Sequence, residues 1–168
     1  MNRPVPLDHA AIAARIPHAG SMCLLDRVIT WDEQHIECTA TSHRTDDGIA
    51  HPLAHDGRLP STAAIEYAAQ AMALHGGLVL ERLATAPGLL ADAPRRGFLV
   101  GLRTVQLHCR WIERAWPLLR IRVERFAGDD VQVLYDFEVR ADGPIAQGRA
   151  VVVLDASARA GPTASGQP

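Results

Sequence analysis

A run of small, helix-favouring residues over positions 60–77 constrains the fold of this chain more than any other stretch. Pro60, Ser61 and Thr62 are typical of a helix start, and the pair Gly76–Gly77 is typical of a helix end. Alanines occupy every face of the predicted helix, so it is apolar nearly all the way round. A helix without a wet side lies inside a protein, and the rest of the chain is therefore expected to wrap around it.

Three polar residues interrupt this helix at every fourth position. Thr62, Glu66 and Gln70 share one face, because residues four apart are neighbours on a helix. A carboxylate in apolar surroundings is costly unless it is paired or protonated, and such acids are common in active sites. Glu66 is therefore a candidate functional acid. The alternative is a helix-start acid that complements the helix dipole, although the spacing does not match a capping box.

Length, charge and cysteine usage limit the class of protein. A chain of 168 residues predicts one domain, and a formal net charge of −2 gives no electrostatic case for binding nucleic acid or a membrane surface. The first residues lack the apolar run of a signal peptide, and no segment approaches the length of a membrane span. The three cysteines are widely spaced without a C-x-x-C, which indicates reduced thiols rather than a zinc site or disulfides. We expect a cytoplasmic protein.

The remaining pattern predicts two strands before the helix and four strands after it. A short helix is expected over 7–16, a β-hairpin over 22–41 and a polar loop over 42–60. An alternative to the glycine stop is that the helix continues through 78–83, the glycines then marking close packing. The later segments are a loop over 84–96, strands over 97–112, 118–126, 131–139 and 145–154, and a disordered tail over 156–168. This order predicts one α+β domain over residues 1–155, with a twisted antiparallel sheet curled around the helix.

Four short motifs, in the same order, resemble those of hotdog-fold 3-hydroxyacyl-[acyl-carrier-protein] dehydratases. Residues 16–28 resemble the family's opening L-P-H-…-L-L-V-D-R-V, and residues 59–71 resemble its helix motif M-P-G-…-E-A-M-A-Q. Residues 100–102 resemble the A-G-I at the start of the next strand, and residues 116–121 resemble the turn P-G-D-…-L. The resemblance is closest to the predicted dehydratase subunits of aryl polyene gene clusters. It implies the hotdog fold, a curled antiparallel sheet wrapped around one long central helix.

The same resemblance implies a chemistry and a set of site residues. In this family a neutral histidine removes the C2 proton of the substrate, and a protonated acid at the position of Glu66 donates a proton to the departing 3-hydroxyl. Counting back from Glu66 places the family's histidine at Pro52, so His51 stands one residue away. Ser61 stands where the family has a glycine whose N–H binds the thioester oxygen. The substrate-binding positions carried over are Pro60, Ser61, Thr62, Gln70 and Gly101. The resemblance implies no metal and no organic cofactor.

The resemblance also implies a partner subunit and a substrate. Active sites of the family lie across a dimer interface, with the histidine from one subunit and the acid from the other. A chain with Glu66 but a displaced histidine loop favours a heterodimer with a His-bearing hotdog subunit, and a homodimer using His51 is the second hypothesis. The implied substrate is a 3-hydroxyacyl group on an acyl carrier protein, converted to a trans-2-enoyl thioester in fatty-acid-like or aryl polyene biosynthesis.

Two other functions stay open at this stage. The chain could be an acyl-thioesterase on the same fold, or a non-catalytic hotdog partner that stabilises an active dehydratase subunit. His18 is expected to stabilise the turn before the first strand rather than to act in catalysis. A group of arginines is expected to form a solvated face, with docking of an acidic carrier protein as the alternative: Arg95, Arg96, Arg103, Arg110 and Arg114.

Overall fold

The computed structural model describes residues 6–44, 50–84, 96–129 and 131–155. Its helices are α1 (His9–Ala13) and α2 (Ala63–Ala84), with short 3₁₀ turns at Gly20–Met22 and Ser42–Arg44. Its strands are β1 (Arg27–Trp31), β2 (His35–Ala40), β3 (Leu59–Pro60), β4 (Arg96–Leu107), β5 (Trp111–Ile112), β6 (Leu119–Gly128), β7 (Gln132–Arg140) and β8 (Pro144–Asp155). The tail over 156–168 and most of the predicted loop over 84–96 lie outside the described residues, so the domain boundary at 155 stays a prediction.

Six of these strands form one antiparallel sheet in the order β1-β2-β6-β7-β8-β4. One face of the sheet is apolar because inward residues alternate along each strand, as Val133, Tyr135, Phe137 and Val139 do in β7. That face packs on α2, which contacts β2, β4, β6, β7 and β8. The predicted α+β hotdog arrangement, with a curled sheet around one long central helix, is confirmed.

The central helix is longer than its glycine pair suggested. It runs for 22 residues through Gly76 and Gly77, so the glycine stop was wrong and the continuation to Ala84 is the observed outcome. Buried Leu74 and Leu78 flank the pair, and their packing outweighs a helix penalty of about 1 kcal/mol for each glycine. The close packing expected at the glycines is absent from the described chain, because a Cβ at either position would meet no atom within 4 Å.

Two other boundaries differ from the sequence prediction. The expected strand over 97–112 is broken: β4 pairs with β8 as far as Leu107, and the N–H of His108 still donates to the carbonyl of Ile145 at 2.9 Å. The chain then turns away, and β5 pairs with β3 in a separate two-stranded sheet. The expected polar loop over 42–60 contains structure of its own, including this β3 and a tight hairpin at His55–Arg58. Neither of the described helices is long and apolar enough to cross a membrane.

Candidate active site

The start of α2 is held by the small sheet that precedes it. The N–H of Ser61 donates to the carbonyl of Arg110 at 3.1 Å, and the carbonyl of Ser61 accepts the N–H of Ala64 at 3.0 Å. Ser61 is buried, and the bond to Arg110 already uses its backbone donor within the chain. Thr62 is exposed, and its N–H has no hydrogen-bond partner among the described residues. The resemblance implied the N–H of Ser61 as the donor to the thioester oxygen, but in the described chain the N–H without a protein partner is that of Thr62.

Glu66 lies in the first turn of α2 with one oxygen engaged. Its Oε1 accepts a hydrogen bond from Nε2 of Gln70 at 3.0 Å, and Nε2 of His18 lies 3.1 Å from the same atom. Within the described part of the chain, Oε2 has no such partner. The Glu66 side chain is 30% exposed, so the carboxyl group is partly accessible from solvent.

Gln70 connects Glu66 to the segment that carries His18. Its side chain is fully buried, and its Oε1 accepts the N–H of Leu24 at 2.9 Å. Its Nε2 donates to the carbonyl of Met22 at 2.7 Å as well as to Glu66. These bonds tie the segment after His18 to the face of α2 that carries Glu66. Gln70 therefore contributes to the site through its hydrogen bond to Glu66.

His51 occupies a different, buried network. Its Nδ1 accepts the N–H of Leu53 at 3.1 Å, which leaves the proton on Nε2, 3.1 Å from the hydroxyl of Tyr67. That hydroxyl lies 2.7 Å from Oγ of Ser42, which donates to the carbonyl of Leu24 at 2.9 Å. Burial, with a smaller contribution from nearby His43, lowers the pKa of His51 to about 4. His51 is thus neutral with both ring nitrogens engaged, and its role as the base stays a prediction.

The remaining predicted positions, Pro60 and Gly101, take no part in the hydrogen bonds described around Glu66 and His51. Pro60 is half-buried in β3, opposite Trp111. Gly101 lies in β4 and pairs with Val151, and a Cβ there would make only ordinary contacts. Among the described residues, no three His, Cys, Asp or Glu side chains converge as the ligands of a metal ion would. The structure thus brings Glu66 and Gln70 together and adds His18, which the sequence interpretation had assigned to a turn.

A family model for the ApeP-like dehydratases, described as ApeP dehydratase, matches residues 10–160 of this sequence. The chain belongs to this ApeP-like dehydratase family. The structure of the dehydratase heterocomplex ApeI:P from Xenorhabdus doucetiae contains a similar chain, with a TM-score of 0.73 and 25% identity over 93% of this chain and 95% of that one. No curated protein sequence matches the chain at a significant level.

More distant structures share the fold alone. Thioesterase HI1161 from Haemophilus influenzae matches with a TM-score of 0.57 and 13% identity, over 92% of this chain and 95% of that one. Cj0977, a sigma28-regulated virulence protein from Campylobacter jejuni, matches with a TM-score of 0.58 and 10% identity, over 89% of this chain and 91% of that one. At these identities the similarity extends to the hotdog architecture and not to the activity.

Apolar surface lies beside the site in the ApeP-like chain. Along α2, a half-exposed stripe of small and apolar residues recurs at helical spacing and adjoins Glu66: Ile65, Ala69, Ala73 and Gly76. Along the sheet, β4 is an edge strand, and its Phe98 and Val100 are 52% and 59% exposed. Leu99 and Leu102 pair with Val152 and Ala150 on the helix-facing side of the sheet, yet they are also exposed. The described part of the chain thus leaves an apolar helix stripe and an apolar sheet edge uncovered.

Proposed function

We propose that this chain is one subunit of a heteromeric dehydratase that acts on a 3-hydroxyacyl thioester carried by an acyl carrier protein. The observation that carries the proposal is the geometry of Glu66: one carboxyl oxygen meets Gln70 and His18, and the other has no partner among the described residues. Membership of a dehydratase family supports the reaction class, and the heterocomplex among the similar structures supports the assembly. The product would be a trans-2-enoyl thioester and water.

In this proposal Glu66 acts as the general acid. A base removes the proton from C2, the electron pair of that C–H bond forms the C2=C3 double bond, and the C3–O bond breaks. Glu66 gives its carboxyl proton to the departing hydroxyl, which leaves as water. The N–H of Thr62, at the positive end of the α2 dipole, is a donor for the thioester oxygen as negative charge builds up there.

The base in this proposal comes from the partner subunit. A general base needs a nitrogen lone pair that faces the substrate, and the lone pair of His51 is used by the N–H of Leu53. The Nε2 atom of His18 is held by Glu66 itself. The half-exposed Glu66 beside an uncovered apolar stripe fits a site that a second hotdog subunit completes, since exposed apolar patches next to a site mark interfaces.

The experiment compares the chain alone with the chain co-expressed with a neighbouring hotdog protein. Enoyl formation from a 3-hydroxyacyl carrier protein is followed for the wild type and for Glu66→Gln. The matched control is Glu81→Gln, because Glu81 lies on the same helix, is 53% exposed and pairs with Arg15 at 3.1 Å. We expect activity only in the complex, a loss of about 10²- to 10⁴-fold in Glu66→Gln and no change in Glu81→Gln.

Other outcomes would select the other functions. Activity from the chain alone that disappears in His51→Ala would identify a homodimer and reject the heteromer. Release of free thiol in place of enoyl product would identify a thioesterase. An intact complex whose activity survives Glu66→Gln would make this chain a non-catalytic partner.

A further inference from the structure

His18 meets Glu66 although it lies in a loop far from α2 in the sequence. Its Nε2 is 3.1 Å from Glu66 Oε1, and the two side chains have similar exposure, 27% and 30%. The backbone just after His18 is held on the helix by Gln70, through the carbonyl of Met22 and the N–H of Leu24. The fold therefore places an imidazole against the proposed acid by means of the buried Gln70 side chain, which holds the following backbone on α2.

The surroundings of Nδ1, the other ring nitrogen of His18, indicate which nitrogen carries the imidazole proton. Nδ1 is buried and has no hydrogen-bond partner in the described residues. A proton on Nδ1 would bury an N–H without an acceptor. The tautomer with its proton on Nε2 avoids this penalty, because Nε2–H then donates to Glu66 Oε1. In this form His18 is a donor and has no free lone pair facing Glu66.

We propose that His18 is a positioning residue for the acid step. Together with Gln70 it makes Oε1 of Glu66 the oxygen that accepts protein hydrogen bonds, and it thereby leaves Oε2 to carry the proton that goes to the substrate hydroxyl. Once that proton has left, both donors stabilise the carboxylate that remains. This inference rests on the proposed dehydratase function, and it gives His18 a role that the proposed function alone did not assign.

The test uses the complex of this chain with its partner subunit and compares two substitutions of His18. His18→Leu removes the donor, whereas the side-chain amide of His18→Gln places an N–H near the former Nε2. We expect His18→Leu to lower kcat by about 10- to 100-fold with KM nearly unchanged, since a misplaced acid slows only the chemical step. His18→Gln should restore most of kcat. The control is His55→Leu, at an 83% exposed histidine whose side chain pairs with its neighbour Asp56, and its activity should not change.

A second measurement is independent of activity. Long-range ¹H–¹⁵N correlation spectra of the complex report which ring nitrogen of His18 carries the proton, and we expect Nε2. A proton on Nδ1 would overturn the inference. Equal kcat values for His18→Leu and the wild type would do the same, as would a kcat for His18→Gln as low as that of His18→Leu. If His18→Leu does not assemble, His18→Asn replaces it, because its amide is too short to reach Glu66 and the same loss is expected.

The proposed function and this inference fail in different ways. If the complex stays active in Glu66→Gln, the proposed function is wrong, and His18 then has no catalytic acid to position. An inactive Glu66→Gln complex alongside a fully active His18→Leu complex removes only the role of His18.

Discussion

Replacing Gln70 by methionine should destabilise the chain far more than a glutamine substitution on the surface. Methionine has nearly the same length and volume, so the core stays filled and only the amide is lost. Two backbone groups then lose their partners, the N–H of Leu24 and the carbonyl of Met22. Glu66 also loses a donor, but its side chain is 30% exposed, so water can replace that bond.

The expected magnitude follows from the two orphaned backbone groups. A buried polar group left without a partner, here the N–H of Leu24, costs about 1 to 3 kcal/mol, and the part-buried carbonyl of Met22 costs less. Removal of the Gln70 amide from its buried site offsets part of that sum, so we expect a net loss of about 1 to 3 kcal/mol in the free energy of unfolding. That is a large part of the total stability of a domain, which is about 5 to 15 kcal/mol.

Urea denaturation of the isolated chain at neutral pH, followed by tryptophan fluorescence, measures this loss. The control is Gln106→Met, because Gln106 is exposed in β4 and its side chain accepts a hydrogen bond from the side chain of Gln147, at 2.8 Å. The control should change stability by no more than about 0.5 kcal/mol. If Gln70→Met is as mild as the control, Gln70 does not hold the segment after His18 on α2, and the basis for the positioning of His18 disappears.

Three further predictions concern stability. The pKa of His51 falls from 6.5 to about 4 in the fold, so the unfolded chain binds the extra proton first as the pH is lowered. The free energy of unfolding from urea titrations should therefore drop between about pH 6.5 and pH 4, and by about 2 kcal/mol at pH 5. His51→Phe should flatten this drop, whereas the control His55→Leu should not. Gly148→Ala should cost about 1 to 3 kcal/mol in the same titration, because its Cβ would lie 3.0 Å from Cα and Cγ2 of Val105; an unchanged midpoint would refute that contact. Gly77→Ala should stabilise the isolated chain by about 0.8 kcal/mol, because its Cβ meets nothing within 4 Å and alanine is the better helix former; a lower melting temperature would contradict this.

Periodicity alone was enough to predict most of the architecture. The apolar run around Glu66 predicted a wrapped central helix, and alternation predicted the strands that became β6 and β7. These features are local, because the buried face of a helix or strand appears in the sequence as a regular spacing of apolar residues. One local signal was missed: Asp56–Gly57 is a typical two-residue hairpin turn, and both residues have the positive φ that such a turn requires.

Element boundaries were less predictable because they depend on partners elsewhere in the chain. Gly76 and Gly77 continue a helix that local propensity would end, since the core on either side keeps it in place. The strand predicted over 97–112 divides in two because residues 96–107 pair with β8, whereas Trp111 and Ile112 pair with β3. In the helix, packing outweighs a local preference of about 1 kcal/mol for each glycine, and in the strand the choice of pairing partner sets the boundary.

The candidate site also has features that the sequence predicts and features that depend on the fold. The sequence alone determined that Glu66 and Gln70 share a face of one apolar helix, because four residues make about one turn. Only the tertiary structure decided which histidine meets Glu66, since that depends on how the segment after His18 folds onto α2 through Gln70. It also decided that His51 faces Tyr67 and that Glu66 remains open on one side. Contacts between distant segments leave no periodic trace in a sequence, and the histidine that touches the acid could therefore be recognised only in the fold.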